Sequence, residues 1–156
     1  MYNPYDTEKY PKRKNPRLKG YDYSKTNYYF VTICTHNKQF LFGKIGENTE
    51  EKKIAETGIL EIPIHYPEVR IEHYAVMPNH VHILLYLSDG KNSMDQIIGK
   101  YKAHVTRQIH KIHPDLKIWQ DSFHDHIIRD EKGFQKIWLY IDSNPMNWEK
   151  DCFYSK

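Results

Sequence analysis

Cysteine is almost missing from this chain: Cys34 and Cys152 are the only two in 156 residues. That excludes a disulfide scaffold and a four-cysteine zinc site. Two reduced thiols in the cytoplasm are the expectation. Long apolar runs are missing as well. The longest, Ile83 to Leu87, falls far short of the roughly 20 residues that cross a bilayer. No charged segment followed by an apolar one opens the sequence, so no signal peptide is expected. Nor does one sign of charge dominate. Twenty-three basic and 20 acidic residues leave a net charge of +3, too little to announce a nucleic-acid binder by itself. Apolar residues are slightly scarce at 39%, but aromatics reach 14%, which excludes a disordered chain. Collagen and coiled coil are excluded on composition too, and the length suits one domain.

What charge there is lies unevenly. Lys9, Lys12, Arg13, Lys14, Arg17, Lys19 and Lys25 crowd the N-terminus among tyrosines, against Asp6, Glu8 and Asp22. Residues 1–25 therefore read as a basic, tyrosine-rich arm suited to a polyanion, or as a solvated leader. Residues 26–150 read as the single domain and 151–156 as a short tail.

Within the domain, Tyr28 to His36 is dense in aromatic and β-branched residues, as a buried strand is. Residues 51–66 look helical, although Gly58 and Pro63 argue against a regular helix. Ile71 to Met77 and His80 to Leu87 read as strands joined by a tight Pro78-Asn79 turn. Met94, Ile97, Ile98, Tyr101, Val105, Ile109 and Ile112 recur at helical spacing. Ile118 to Ile128 reads mainly as a fourth strand. A last helix opens at Asp130, buries Phe134, Ile137, Trp138 and Ile141, and ends at Asn144-Pro145. The order β-α-β-β-α-β-α predicts an α+β fold: a ferredoxin-like antiparallel sheet with helices packed on one face. The other face is left open.

His80-Val81-His82 sits in the third strand. Side chains alternate along a strand, so His80, His82, Leu84 and Tyr86 share one face and Val81, Ile83, Leu85 and Leu87 the other. The second set is wholly apolar and belongs against the helices, which leaves the histidines on the open face. Two such residues lie about 7 Å apart at Cβ, within reach of one metal ion. Ten histidines placed at random would give roughly 0.6 His-x-His pairs, a weak signal alone. The chain has a second pair, His124-Asp125-His126, in a polar stretch better suited to supporting the sheet or to contacting a ligand from behind the site. No Asp or Glu stands in an obvious position to complete a two-histidine-one-carboxylate iron site. Imidazoles and an amide with open positions for phosphate oxygens suit Mg²⁺ or Mn²⁺ and a nucleic acid.

On the last helix, Tyr140 and Asn144 stack on one face. The apolar stripe is centred roughly 110° from Tyr140, so the tyrosine is expected to edge it. A boundary tyrosine and a C-terminal asparagine cap account for the pair equally well. On the second helix, Lys100, Arg107 and Lys111 fall within roughly 40°, with His104 beside them. That stripe suits phosphates or is an ordinary solvated face.

Four stretches in order, YDYSKTNYYFVTICT, HYAVMPNHVHILL, IWQDSFHDHIIRD and YIDSNPMNW, resemble the REP-associated tyrosine transposases. These are single-tyrosine members of the HUH superfamily of DNA-nicking enzymes. The resemblance runs from about Tyr21 to Trp148. It implies that His80 and His82 are metal ligands, with Asn144 as the third, and that Tyr140 is the nucleophile. His124 and His126 would stand in a supporting position, and Asn79 would belong to the turn without a catalytic role. The implied partner is single-stranded DNA, often beside a hairpin or palindrome. The implied cofactor is a divalent metal, Mg²⁺ or Mn²⁺. The implied product is a covalent 5′-phosphotyrosine from which strands are rejoined. Lys12, Arg13, Lys14, Arg17, Lys100, Arg107 and Lys111 are the candidate DNA contacts. Other readings are a non-catalytic nucleic-acid-binding module and a metal-dependent nuclease that activates water. Monomer and homodimer both fit, as do a mobile-element and a domesticated role.

Overall fold

The computed structural model describes residues 27–88 and 91–155. The basic arm, with Lys12, Arg13, Lys14 and Arg17, lies outside the described residues. Strands β1 (Asn27–Cys34), β2 (Val69–Met77), β3 (His80–Leu87) and β4 (His124–Ile128) alternate with helices α1 (Glu50–His65), α2 (Met94–Ile109) and α3 (Glu131–Ser143). The sheet order is β2-β3-β1-β4, and every pair is antiparallel. This is the expected ferredoxin-like α+β fold.

Alternation along β1 and β3 builds two separate cores. Tyr29, Val31, Ile33, Val81, Ile83, Leu85 and Leu87 join Ala55, Ile59, Ile97, Ile98, Tyr101 and Val105 of α1 and α2. The opposite face contributes Phe30, Ala75, Met77, Leu84 and Ile128 to a smaller core with Ile137, Tyr140 and Ile141 of α3. Helices α1 and α2 therefore share one face as expected, whereas α3 crosses the other. The face expected to be open is covered at its centre. Each fully buried large apolar side chain of α3 contributes about 1.5–3 kcal/mol, enough to hold the helix there.

Gly58 and Pro63 both lie inside α1. At Gly58 a Cβ would stand 3.0 Å from Cε2 of Tyr101, so the glycine is what lets α1 and α2 approach. Pro63 falls in the last turn, where the helix is already ending. The fourth strand is shorter than the pattern suggests. Residues before His124 contribute only an isolated bridge from Trp119 to Thr35. In β2 the register slips between Ile71 and His73, a bulge that re-aims the rest of the strand. His73 thereby lies opposite Leu84, on the α3 side.

Candidate active site

The site forms where the ends of β1, β3 and α3 meet. His80 and His82 project from β3 onto the α3 face, and both are 0% exposed. Register sets their neighbours: Cys34 lies opposite His80 and Thr32 opposite His82. The imidazoles point at each other, with Nε2 atoms 3.1 Å apart. Their outer nitrogens are tied down. Nδ1 of His80 meets Oδ1 of Asn79 at 2.7 Å, and Nδ1 of His82 meets Oγ1 of Thr32 at 2.7 Å. Such outer hydrogen bonds orient metal-binding histidines.

Tyr140 enters from α3 and is 3% exposed. It lies inside the buried stripe rather than at its edge, while Trp138 stands at the edge, 37% exposed and stacked on His73 at 4.5 Å. The Tyr140 ring meets His82 at 5.3 Å and Phe30 at 6.1 Å. Asn144 caps the C-terminus of α3 and is 0% exposed.

The sequence reading missed the carboxylate. A 3₁₀ turn, Pro145–Lys150, folds the chain back after α3 and delivers Asp151 into the cluster. Its Oδ2 lies 3.5 Å from Nε2 of His80 and 3.8 Å from Nε2 of His82. Tyr140 donates its hydroxyl to the same oxygen at 3.4 Å, and Nδ2 of Asn144 donates to it as well. No periodicity reaches through an irregular turn, so only proximity to the Asn-Pro segment could have pointed to Asp151. Phe153 follows and packs on both imidazoles, at 5.0 Å from His80 and 5.9 Å from His82.

Burial dominates the electrostatics. It lowers the pKa of His80 against opposing contributions from Asp151 and Asn144. It lowers His82 to about 4, helped by the neighbouring His80. Both imidazoles are therefore neutral at pH 7, the form that binds metal. Burial works to raise Asp151, but the His80 and His82 rings that face it outweigh burial and hold the carboxyl well below its usual range. Burial pushes the Cys34 thiol up to about 12, so Cys34 is an inert neighbour.

The donor set fits a divalent cation. His80, His82 and Asp151 offer ligand atoms within 4.8 Å of one another. Asn144 adds a more pointed observation: its Oδ1 is the only buried side-chain oxygen or nitrogen without a hydrogen-bond partner among the described residues. Its Nδ2 is committed to Asp151, so the oxygen is left facing the other way. A buried polar atom left unpaired is costly, and a cation beside it would relieve that cost.

The other predicted residues are placed differently. His124 and His126 lie opposite Thr32 and Phe30, on the face that carries the cluster, and His124 touches Phe153 at 5.6 Å. Lys100 and Arg107 line a cleft of about 310 Å³ between α1 and α2, with Glu61, His65 and His104. That cleft lies across the sheet from His80 and His82. Lys111, just beyond α2, bonds Gln108 at 3.0 Å. The fold thus separates the basic stripe from the imidazoles.

Fold and cluster together define a class: a ferredoxin-like domain in which a helix-borne tyrosine faces a buried histidine pair. Residues 22–144 match the family described as IS200-like transposases. The chain belongs to that family. An uncharacterized protein of Haemophilus influenzae is 32% identical across 91% of this chain and 93% of its own length. A candidate REP-associated tyrosine transposase of the same organism is 28% identical across 80% of this chain and 73% of its own. Among solved structures, a REP-associated tyrosine transposase bound to a REP hairpin superposes with a TM-score of 0.63 at 21% identity, covering 85% of this chain and 73% of that one. A candidate transposase from Deinococcus radiodurans gives 0.55 at 18% identity, over 81% and 95% of the two chains. These two likenesses concern the fold.

Proposed function

We propose that this transposase nicks and rejoins single-stranded DNA, beside a hairpin, through Tyr140. The observation that carries the reading is the convergence on one carboxylate oxygen of a tyrosine hydroxyl, two neutral imidazoles and an asparagine amide. Tyr140 Oη forms a bond to the scissile phosphorus, and the bond from phosphorus to the 3′-oxygen breaks. The phenol's proton is released to water as the bond forms, with the hydroxyl oriented by its hydrogen bond to Asp151. The 3′-oxygen takes up a proton and leaves as a hydroxyl, and the 5′ end stays on the tyrosine. Because the ester is conserved, attack by another 3′-hydroxyl reverses the step and joins strands.

A phenol with an ordinary pKa of about 10 is a weak nucleophile at pH 7. Asp151 orients the hydroxyl through its hydrogen bond. His80, His82 and Asn144 would hold a divalent ion, with Asp151 as a carboxylate ligand beside them. Mg²⁺ or Mn²⁺ bound there would polarise the phosphate and stabilise charge on the leaving oxygen. Imidazole donors favour Mn²⁺ of the two.

The basic arm and the Lys100, Arg107 and Lys111 stripe are assigned to phosphates away from the scissile bond, such as those of a hairpin stem. His124 and His126 border the strand's approach to the site.

The test is cleavage of labelled single-stranded oligonucleotides, taken from the DNA around the gene and its palindromes, with Mg²⁺ or Mn²⁺. A metal-dependent covalent adduct on a denaturing gel, absent in Tyr140→Phe, is the expected result. Cleavage without an adduct would show a water-activating nuclease instead. Binding without cleavage in both metals would show a recognition module.

A further inference from the structure

Asn79 occupies a two-residue turn, where a polar side chain ordinarily faces water, yet it is 2% exposed. Every polar group beyond its own N–H is engaged. Its backbone carbonyl accepts from Thr35 N at 2.9 Å and from Thr35 Oγ1 at 3.0 Å. Its Nδ2 donates to the backbone carbonyl of Phe153 at 3.0 Å and to Oγ of Ser155 at 3.3 Å. Its Oδ1 faces Nδ1 of His80 at 2.7 Å.

These partners fix a proton. A backbone carbonyl only accepts, so the end of the amide that faces Phe153 is the NH₂ group. The end that faces His80 is then the oxygen, which also only accepts. Nδ1 of His80 must therefore carry hydrogen, and the neutral ring keeps its lone pair on Nε2. We propose that Asn79 is a positioning residue. It locks His80 as the Nδ1–H tautomer with the Nε2 lone pair turned into the cluster, and the C-terminal backbone at Phe153 sets the amide that does so.

His82 is held differently. Its partner is the Thr32 hydroxyl at 2.7 Å, which can donate or accept and so imposes no tautomer. With His80 Nε2 an acceptor at 3.1 Å, the metal-free His82 carries its proton on Nε2. A cation on both rings would move that proton to Nδ1, with Thr32 turning from donor to acceptor. One ring is thus locked and the other adapts. The purpose of the lone pair rests on the metal-site reading; the tautomer itself does not.

The experiment is nitrogen-15 NMR of the histidine rings in the full metal-free chain, repeated with Zn²⁺ as a diamagnetic probe. Mn²⁺ affinity is measured alongside. Expected for the metal-free protein is Nδ1–H at His80 and Nε2–H at His82, with Zn²⁺ changing only His82. Asn79→Ala should leave His80 in mixed tautomers and weaken Mn²⁺ binding roughly tenfold, the lower end of what outer-shell losses cost. Asn79→Asp retains the acceptor and should retain the His80 tautomer. Nε2–H at His80 in the unaltered protein overturns the proposal, whatever the variants do. So does an unchanged His80 pattern in a folded Asn79→Ala protein. Should the protein take up no Mn²⁺ while His80 is Nδ1–H, the metal reading fails and the positioning role stands.

Discussion

At the scale of single residues, the site is a set of polar groups that burial forces to satisfy one another. Asp151 is the hub, since Tyr140, Asn144, His80 and His82 all face its Oδ2. Removing its charge should disturb them all. Asp151→Asn is expected to weaken Mn²⁺ binding by roughly 10-fold or more and to slow adduct formation, as measured by calorimetry and denaturing gels. Tyr140→Phe should keep Mn²⁺ affinity while losing the adduct, because the hydroxyl is placed beside the donor set rather than in it. If Tyr140→Phe still formed an adduct, another nucleophile would be at work. Much of this was legible in the residues themselves. His80 and His82 stand out by type and spacing, Tyr140 and Asn144 only through the family resemblance, and the fold does bring the four together. Asp151 does not stand out, because nothing in its local sequence marks a carboxylate that returns through an irregular turn. Asn79 looked like simple turn chemistry, and its hydrogen bonds to Phe153 and Ser155 span more than 70 positions.

At the scale of elements, the chemistry depends on where α3 sits. Its N-terminus is capped by Asp130, whose side chain accepts from Gly133 N at 2.7 Å. Its outer edge is tied to the sheet by His73 and Asp142 at 3.2 Å. Asp130→Ala removes a cap worth about 1 kcal/mol. In a chain of this size that should lower the melting temperature by about 2–4 °C. Amide exchange should quicken first in the opening turn of α3, and equal quickening in α1 or α2 would argue against a local cap. The pattern for α3 was clear in sequence, but its side of the sheet was not. Amphipathicity says that a helix buries a stripe, not which face of a sheet receives it. Helical arithmetic also put Tyr140 at the stripe's edge and Trp138 inside it. Packing of α3 against Phe30 and Leu84 reversed those two. The β2 bulge is similarly silent in sequence, since an extra residue in a strand leaves no mark until the partner strand fixes the register.

At the scale of the whole molecule, pH and metal should act together. His82 has an ordinary pKa near 6.5 when unfolded and about 4 when folded. The unfolded chain therefore takes up a proton first as pH falls, which favours unfolding. Stability of the metal-free protein should be full above pH 6.5 and decline from there towards pH 4, read as a falling urea midpoint. His82→Gln should flatten that decline. At neutral pH, Mn²⁺ at 100 times its dissociation constant should add about 2.7 kcal/mol, and His80→Ala should abolish the gain. The two faces of the sheet also divide the proposed DNA contacts. Substituting Lys100 and Arg107 should weaken DNA binding and shallow its salt dependence without slowing adduct formation at saturating DNA. Slower chemistry at saturation would show that the cleft reaches the scissile strand.

The sequence alone determined the element order, the antiparallel sheet and the face of β3 that carries the histidines. Those follow from short-range rules: alternation in strands, 3.6-residue recurrence in helices, and the turn at Pro78-Asn79. Tertiary structure decided what lies across that face. It placed α3 there, buried both imidazoles and returned Asp151 to their centre. The physical reason is that burial and hydrogen-bond satisfaction are set by groups distant in sequence. A pattern shows which side chains must leave water, and only the packed chain shows which partners they find.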